Sequence, residues 1–548
     1  MRAIVTIIAA SSLLGCSAAG TEVEDLPPTI EITSPQRGTF SESMELTVSG
    51  RVSDDQPGVT ATVQGVAVMP NADGTFSTKV TVEAGIALIE TKAIDSKGQA
   101  SRDVRAVLAG DTAPSDGSVK AQLGARLAPA GLATVASAVA TAAKGIDFTA
   151  AATAMNPVYN NTGCLGAKID ITSVTLSNIA ATMVPKAGAV DTSVNVSNVV
   201  VKLHADFKVA CIGGSTTITA TASMARVRDD LTIAISGGKI KTAVPSPTIT
   251  LEGFNVDVGG VPSAIESLLR DKAREAAETR LASIIQSKVP ALADAKLAEL
   301  VAKPVSTMLL GHPTKITVAP AKAELAATGL FVAVDTAMVV TGGEGGTYAS
   351  NPMPISSGLI AKAQKLGVAV ADDAVNQLFA GLWAAGAFDL TLSGDKVGVI
   401  AALLDDDVRS LDISMSLPPT MKTAGTGLEL TVGDLIVTAK DEAGAPVQTF
   451  ALSMTTTMVA GPTADNKLVL TTTTPIVKAQ VLSQSAVVDN PLDASELEGI
   501  ITGVWGVVGG MADDALGKLP MPNIAGIQLG APTVEGNAGY VVLDVGAQ

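Results

Sequence analysis

The sequence predicts an α+β chain, with a small β-sandwich near the N-terminus and a longer body in two halves, each combining many strands with long helices. Three observations predict it. Residues 29–109 hold short runs of alternating apolar and polar residues with turn residues between them. Residues 119–548 run helix, many strands, helix, and then the same order again. Aromatic residues make up 3% against 47% hydrophobic overall, so Ala, Val, Leu and Ile must carry the packing. A chain of 548 residues has room for two or three domains, each with a core of its own.

The first residues read as an export signal. Met1-Arg2 is a short positive start, Ala3 to Leu14 is uncharged, and the stretch closes on Leu13-Leu14-Gly15-Cys16. It is too short to span a bilayer and has the layout of a signal peptide, residues 1–15. A small residue before a Cys at this place resembles the bacterial lipobox. The resemblance implies cleavage before Cys16 and acylation of its thiol and new N-terminus, hence a chain held to a membrane by lipid. No Asp follows Cys16, which by the same resemblance implies the outer membrane. An ordinary signal peptide with an incidental Cys is the alternative. Residues 16–28, polar and acidic and ending in Pro27-Pro28, form a tether that reaches on the order of 20 Å.

The sandwich occupies residues 29–109. Ile30-Glu31-Ile32, Met44 to Val48, Val59 to Val63 and Lys79 to Val82 alternate with the period of half-buried strands, and Asn71 to Gly74 and Asp95 to Gly98 are turns. Ile94 to Ala100 resembles the last hairpin of bacterial immunoglobulin-like domains. Residues 110–118, rich in Asp, Pro, Ser and Gly, read as a linker.

The first half of the body, residues 119–358, opens on the Ala-rich segment Leu123 to Ala143. Pro129 interrupts it and Ala contributes little to insertion, so a buried helix is expected rather than a membrane span. Strand patterns fill Lys168 to Val258, and a long amphipathic helix follows with Val261, Ile265, Leu268, Leu269, Leu281, Ile284 and Ile285 on its apolar face. Arg270, Lys272, Arg274, Glu275, Glu278 and Arg280 read as its polar side. The second half, residues 359–548, repeats the order. Asp372 is placed to cap a helix through Phe388, alternating strands run to Val488, Asp493 to Leu516 is a closing helix, and Tyr540 to Val545 is a last strand.

Charge and chemistry exclude several functions. The net charge is −16, with residues 118–258 carrying 11 basic and 8 acidic side chains and residues 359–548 carrying 9 and 21. Nucleic acid needs a basic footprint and is not expected as a partner. The two histidines, His204 and His312, have no Cys, His or spaced carboxylate beside them, so no metal site is expected. There is no Gly-x-Ser-x-Gly elbow and no phosphate-binding Gly-Lys loop; neither an enzyme nor a cofactor is expected. Once the signal is removed, Cys164 and Cys211 remain. An even pair in an exported chain points to a disulfide, with two free buried thiols as the alternative.

The order of elements, with the Cys pair in the first half's strands, resembles the bactericidal/permeability-increasing and lipopolysaccharide-binding protein family of the tubular lipid-binding superfamily. The resemblance covers about four fifths of the chain. It is carried by Thr248-Ile249-Thr250-Leu251 running into the Val261 helix, by the strand–helix–strand from Gly367 to Leu392, and by Leu519 to Pro522 before two strands. It implies two curved sheets on long helices, a shared central sheet, a Cys164–Cys211 disulfide, and an apolar pocket for acyl chains in each half. The candidate lining is Ile265, Leu269, Leu281 and Ile284 in the first half, and Leu378, Leu382, Ile501 and Trp505 in the second. A fully packed core is the competing reading of these residues. The implied function is a membrane-anchored envelope lipoprotein that binds and carries phospholipid or a similar acyl lipid. A structural or adhesive envelope protein without a ligand is the alternative. The family's endotoxin binders rely on a strongly basic tip, which this acidic chain lacks.

Overall fold

Alternation at period two gives strands through most of the chain, and the computed structural model describes them in residues 25–115, 117, 119–298, 305–350, 355–394, 408–424, 427–462, 468–486, 491–503, 532–537 and 539–545. The chain divides into two compact units, the smaller from Met1–Pro35, Thr47–Val80 and Glu90–Asp103, the larger from Gln36–Leu46, Thr81–Ile89 and Val104–Gln548.

In the smaller unit Thr29–Ser34 pairs antiparallel with residues 49–53, Ile30 opposite Val52, and Thr60–Val63 pairs with residues 91–94. Ile32, Val48, Val52, Val63, Phe76 and Ala93 point inward and are buried. Polar residues alternate with them on the outer face, as a two-sided strand requires.

The larger unit carries three large sheets. The first has eight strands built around Ala189–Val209 and Ile212–Ser236, which pair from Val190 opposite Leu231 to Val209 opposite Ile212. Buried apolar residues alternate along the first of these strands on either side of Asn198, Val190, Val194 and Val196 before it and Val199, Val201, Leu203 and Ala205 after it. Helices α1 (Pro129–Ala143), α2 (Phe148–Thr153) and α3 (Ser263–Ala298) contribute to the same core cluster as those residues. The second sheet has seven strands in the order Val305–Leu309, His312–Ala326, Gly329–Val340, Val119–Leu127, Leu366–Ala371, Tyr540–Val545, Pro532–Asn537. It draws on both halves of the body, as a shared central sheet does. The third sheet, also of seven strands, is built around Gly427–Lys440 and Pro446–Pro462. Helix α4 (Asp372–Ala384) precedes it in sequence.

Three expectations about elements need correcting. Leu123 to Leu127 is not helical: Val119–Leu127 is a strand paired on both sides, with Leu123 opposite Val334 and Val370. The Ala-rich composition hides an alternation whose decisive member is Arg126, 6% exposed, which donates to the carbonyls of Ile360, Ala361 and Thr328 at 2.6–2.8 Å. The helix begins only at Pro129, which occupies its first turn, where a missing N–H does no harm. Helix α3 runs on past Ile285 to Ala298 with Pro290 inside it. The segment beyond Ile285 is tied to strand Lys239–Ala243: Thr242 donates its N–H (2.6 Å) and hydroxyl (2.8 Å) to Asp294 Oδ1, and the hydroxyl also reaches the Pro290 carbonyl (3.1 Å). Asp372 is not a side-chain cap; Ala371 holds the cap position and Asp372 is the first helical residue. The helix expected to run through Phe388 ends at Ala384, with Ala385 as its C-cap and Gly386 beyond it at φ +75°. The closing helix does start where expected. Asp493 accepts from the N–H groups of Ser495 and Glu496 at 2.8 Å while Glu496 accepts from Asp493 N–H at 2.9 Å, a reciprocal capping box, and residues 494–503 are helical.

Cys164 and Cys211 are joined in a disulfide. Cys211 and Ala210 form the two-residue turn between the long strands, both in the left-handed region (φ +68° and +48°). The Cys211 N–H also donates to the Cys164 carbonyl at 3.1 Å, so the turn is tied to the start of the neighbouring strand Leu165–Thr175.

Candidate functional site

A partly open, mainly apolar cleft lies in the first half of the body, lined by α2, α3 and the eight-stranded sheet. Twelve of its fourteen lining residues are apolar; Thr221 and Arg280 are the other two.

Local structure explains why this space stays unfilled. Strand Leu165–Thr175 has a register break between Ile171 and Ser173, and α2 is fastened at that break. Asn156 donates to the Ile171 carbonyl and accepts its N–H, both at 2.8 Å. Thr149 does the same for Val174 at 3.0 Å. The strand's interrupted ladder is thereby satisfied by side chains, which holds Ile171 and Val174 as walls. Asp147 caps α2 by accepting from Ala150 N–H at 2.8 Å, which seats Phe148 at one end of the cavity. Four alanines, Ala152, Ala220, Ala222 and Ala277, face the space and fill little of it. Phe254 closes another side and carries the Arg274 guanidinium over its ring, 5.2 Å from the centroid.

Of the residues expected to line a pocket, Ile284 does so. Ile265 and Leu269 are in the same core cluster but wholly buried, 0% exposed, and lie outside the lining. In the second half Leu382 is buried, Leu378 is half-buried, and Ile501 packs against the cluster of Val408, Leu411, Val437 and Phe450. Cys16, Trp505, Leu519 to Pro522 and the Leu281 side chain lie outside the described residues. Phe148, Phe254 and the four alanines are not distinguishable by residue type from ordinary core. Arg280 did carry a signal: the positions three and four residues away, Ala276, Ala277, Ser283 and Ile284, offer it no acid.

A second polar cluster sits at the first turn of α4. Asp373 is buried and accepts from the Ser350 hydroxyl at 2.8 Å, and burial together with Asp373 pushes the Asp372 carboxyl up to about 6. Burial, with Asp373 adding to it, pushes Tyr348 up to about 12. Among the described residues no group of three or more His, Cys, Asp or Glu side chains could hold a metal ion. No described helix is long and apolar enough to cross a membrane.

Residues 28–110 match the family described as glucodextranase, domain B. This is the stretch that the sequence assigns to an immunoglobulin-like sandwich. No curated protein matches the chain. Among solved structures, the crystal structure of lipopolysaccharide binding protein is similar at 12% identity and a TM-score of 0.42, over 78% of this chain and 99% of that one. The solution structure of latherin is similar at 14% identity and a TM-score of 0.20, over 31% of this chain and 82% of that one.

Proposed function

We propose that this chain is an envelope lipoprotein, anchored to the outer membrane through lipid on Cys16, whose larger unit binds the acyl chain of a lipid and carries it. The observation behind the binding reading is the cleft whose lining is apolar at twelve of fourteen residues. Water gains few hydrogen bonds in such a space, whereas each CH₂ of an acyl chain moved into it contributes roughly 0.8 kcal/mol. The signal segment ending at Cys16 supports the anchor.

Native mass spectrometry of the protein purified from membranes tests both parts. Two kinds of lipid are expected: a covalent acyl mass on the peptide that begins at Cys16, and a non-covalent lipid lost on denaturation. Ala277→Trp places a large ring in the cavity from α3. It is expected to lower the non-covalent occupancy severalfold, with circular dichroism and the covalent mass unchanged. A native N-terminus without acyl mass rejects the anchor. A protein with no releasable lipid, and none taken up from vesicles, rejects the carrier in favour of a structural or adhesive protein.

A further inference from the structure

We infer that the cavity selects an anionic amphiphile, with Arg280 holding its carboxylate or phosphate at the edge of the apolar space. This rests on the acyl-chain reading and adds the chemistry of the head to it.

The argument begins with charge pairing along α3. Arg270 pairs with Glu266 at 2.8 Å, Lys272 with Glu275 at 2.6 Å and Arg274 with Glu278 at 3.1 Å. Each of these cations finds its acid three or four residues away on its own helix. Arg280 and Lys288 lack an acid at these spacings, and of the two only Arg280 lines the cleft. Its neighbours at those spacings are Ala276, Ala277, Ser283 and Ile284, and its one polar contact among the described residues is the uncharged Met155 Sδ, 3.9 Å from an Nη.

Position matters as much as pairing. Arg280 is half-buried and lines the cavity beside Ala277 and Ile284. Its methylene stem belongs against such a wall while the guanidinium reaches toward water, the geometry that suits a ligand with an apolar tail and a charged head. The planar fork offers paired N–H donors to a carboxylate or a phosphate. Thr221, the other polar lining residue, spends its hydroxyl on a long 3.4 Å bond to the Asn255 carbonyl, which an anion's oxygen would outcompete. Arg274, over Phe254, is already neutralised by Glu278 and adds no free charge.

The test uses the full acylated chain in phosphatidylcholine vesicles at alkaline pH, where a fatty acid is ionised. Three probes carry the same photoactivatable diazirine in the chain: palmitic acid, the matching long-chain alcohol, and phosphatidylglycerol. Labelling of the peptides bearing Phe148 and Ile284 is followed against probe concentration. The acid or the phosphatidylglycerol is expected to half-saturate at about tenfold lower concentration than the alcohol. The probe showing the preference identifies the source of the anion. Arg280→Gln is expected to abolish the preference, with circular dichroism unchanged as the check on folding, and Arg280→Lys to restore part of it. Equal curves for all three probes in the native chain, or a preference that survives Arg280→Gln, overturn the headgroup assignment alone. Absence of label from every probe, the alcohol included, overturns the acyl-chain reading with it.

Discussion

Replacing Asp434 with Ala is expected to destabilise the larger unit by about 4 kcal/mol, the typical loss when one partner of a buried ion pair is removed. Asp434 is fully buried at a register break in strand Gly427–Lys440, with φ +45°. One carboxylate oxygen accepts from Arg37 at 2.7 Å and the other from Ala106 N–H at 3.0 Å, while its own N–H donates to the Ser453 hydroxyl at 3.0 Å. The neighbouring Gly433 lies so close to Ala106 that a Cβ there would sit 2.5 Å from the alanine's methyl. Truncation therefore strands a guanidinium and a backbone donor where water has little access. Lys422–Glu83 is the control: at 3.3 Å with both side chains well exposed, its loss is expected to cost no more than about 1 kcal/mol. Urea unfolding followed through the larger unit's transition distinguishes the two. The double variant Arg37→Met with Asp434→Leu is expected to recover part of the loss, since no uncompensated charge remains. If Asp434→Ala and Glu83→Ala shift the transition equally, the buried pair does not hold this part of the fold.

Removal of the disulfide has an effect of similar size by a different route. Cys164 and Cys211 are 47 residues apart, and opening that loop in the unfolded chain costs about 4 kcal/mol of stability. Cys164→Ala with Cys211→Ala is expected to lose this amount, and a reductant is expected to destabilise the native protein equally while leaving the double variant unaffected. The turn supplies a finer control. Cys211 sits at φ +68°, where Gly has no steric penalty, so Cys164→Ala with Cys211→Gly is expected to be about 1 kcal/mol more stable than the double alanine variant. Insensitivity of the native protein to reductant would contradict the account.

The sequence made some of this fold plain and hid the rest for physical reasons. Alternating runs such as Val201 to Ala205 are legible because Lys202 and His204 separate the inward residues and turn outward. Val119–Leu127 is not, because Ala and Gly carry no face preference and Arg126 is buried on carbonyls rather than solvated. Pro290 lies inside α3 and is tolerated where Thr242 and Asp294 tie the helix to the sheet. The cavity was legible in kind but not in place. Ile265, Leu269 and Ile284 share one apolar face by spacing, yet only Ile284 meets the cavity, because a void depends on which alanines oppose one another across distant elements. Arg280 read as one more residue of a polar face; the missing acid at its helical spacings was the available clue.

The most direct test of the central claim is to locate the lipid. A crystal of the protein soaked or grown with a fatty acid brominated along its chain reports the chain's position through the bromine's anomalous scattering. The account predicts bromine density inside the space bounded by Phe148, Phe254 and Ile284, lost in Ala277→Trp. Bromine found only on the outer surface, or an empty cavity at saturating ligand, would contradict it.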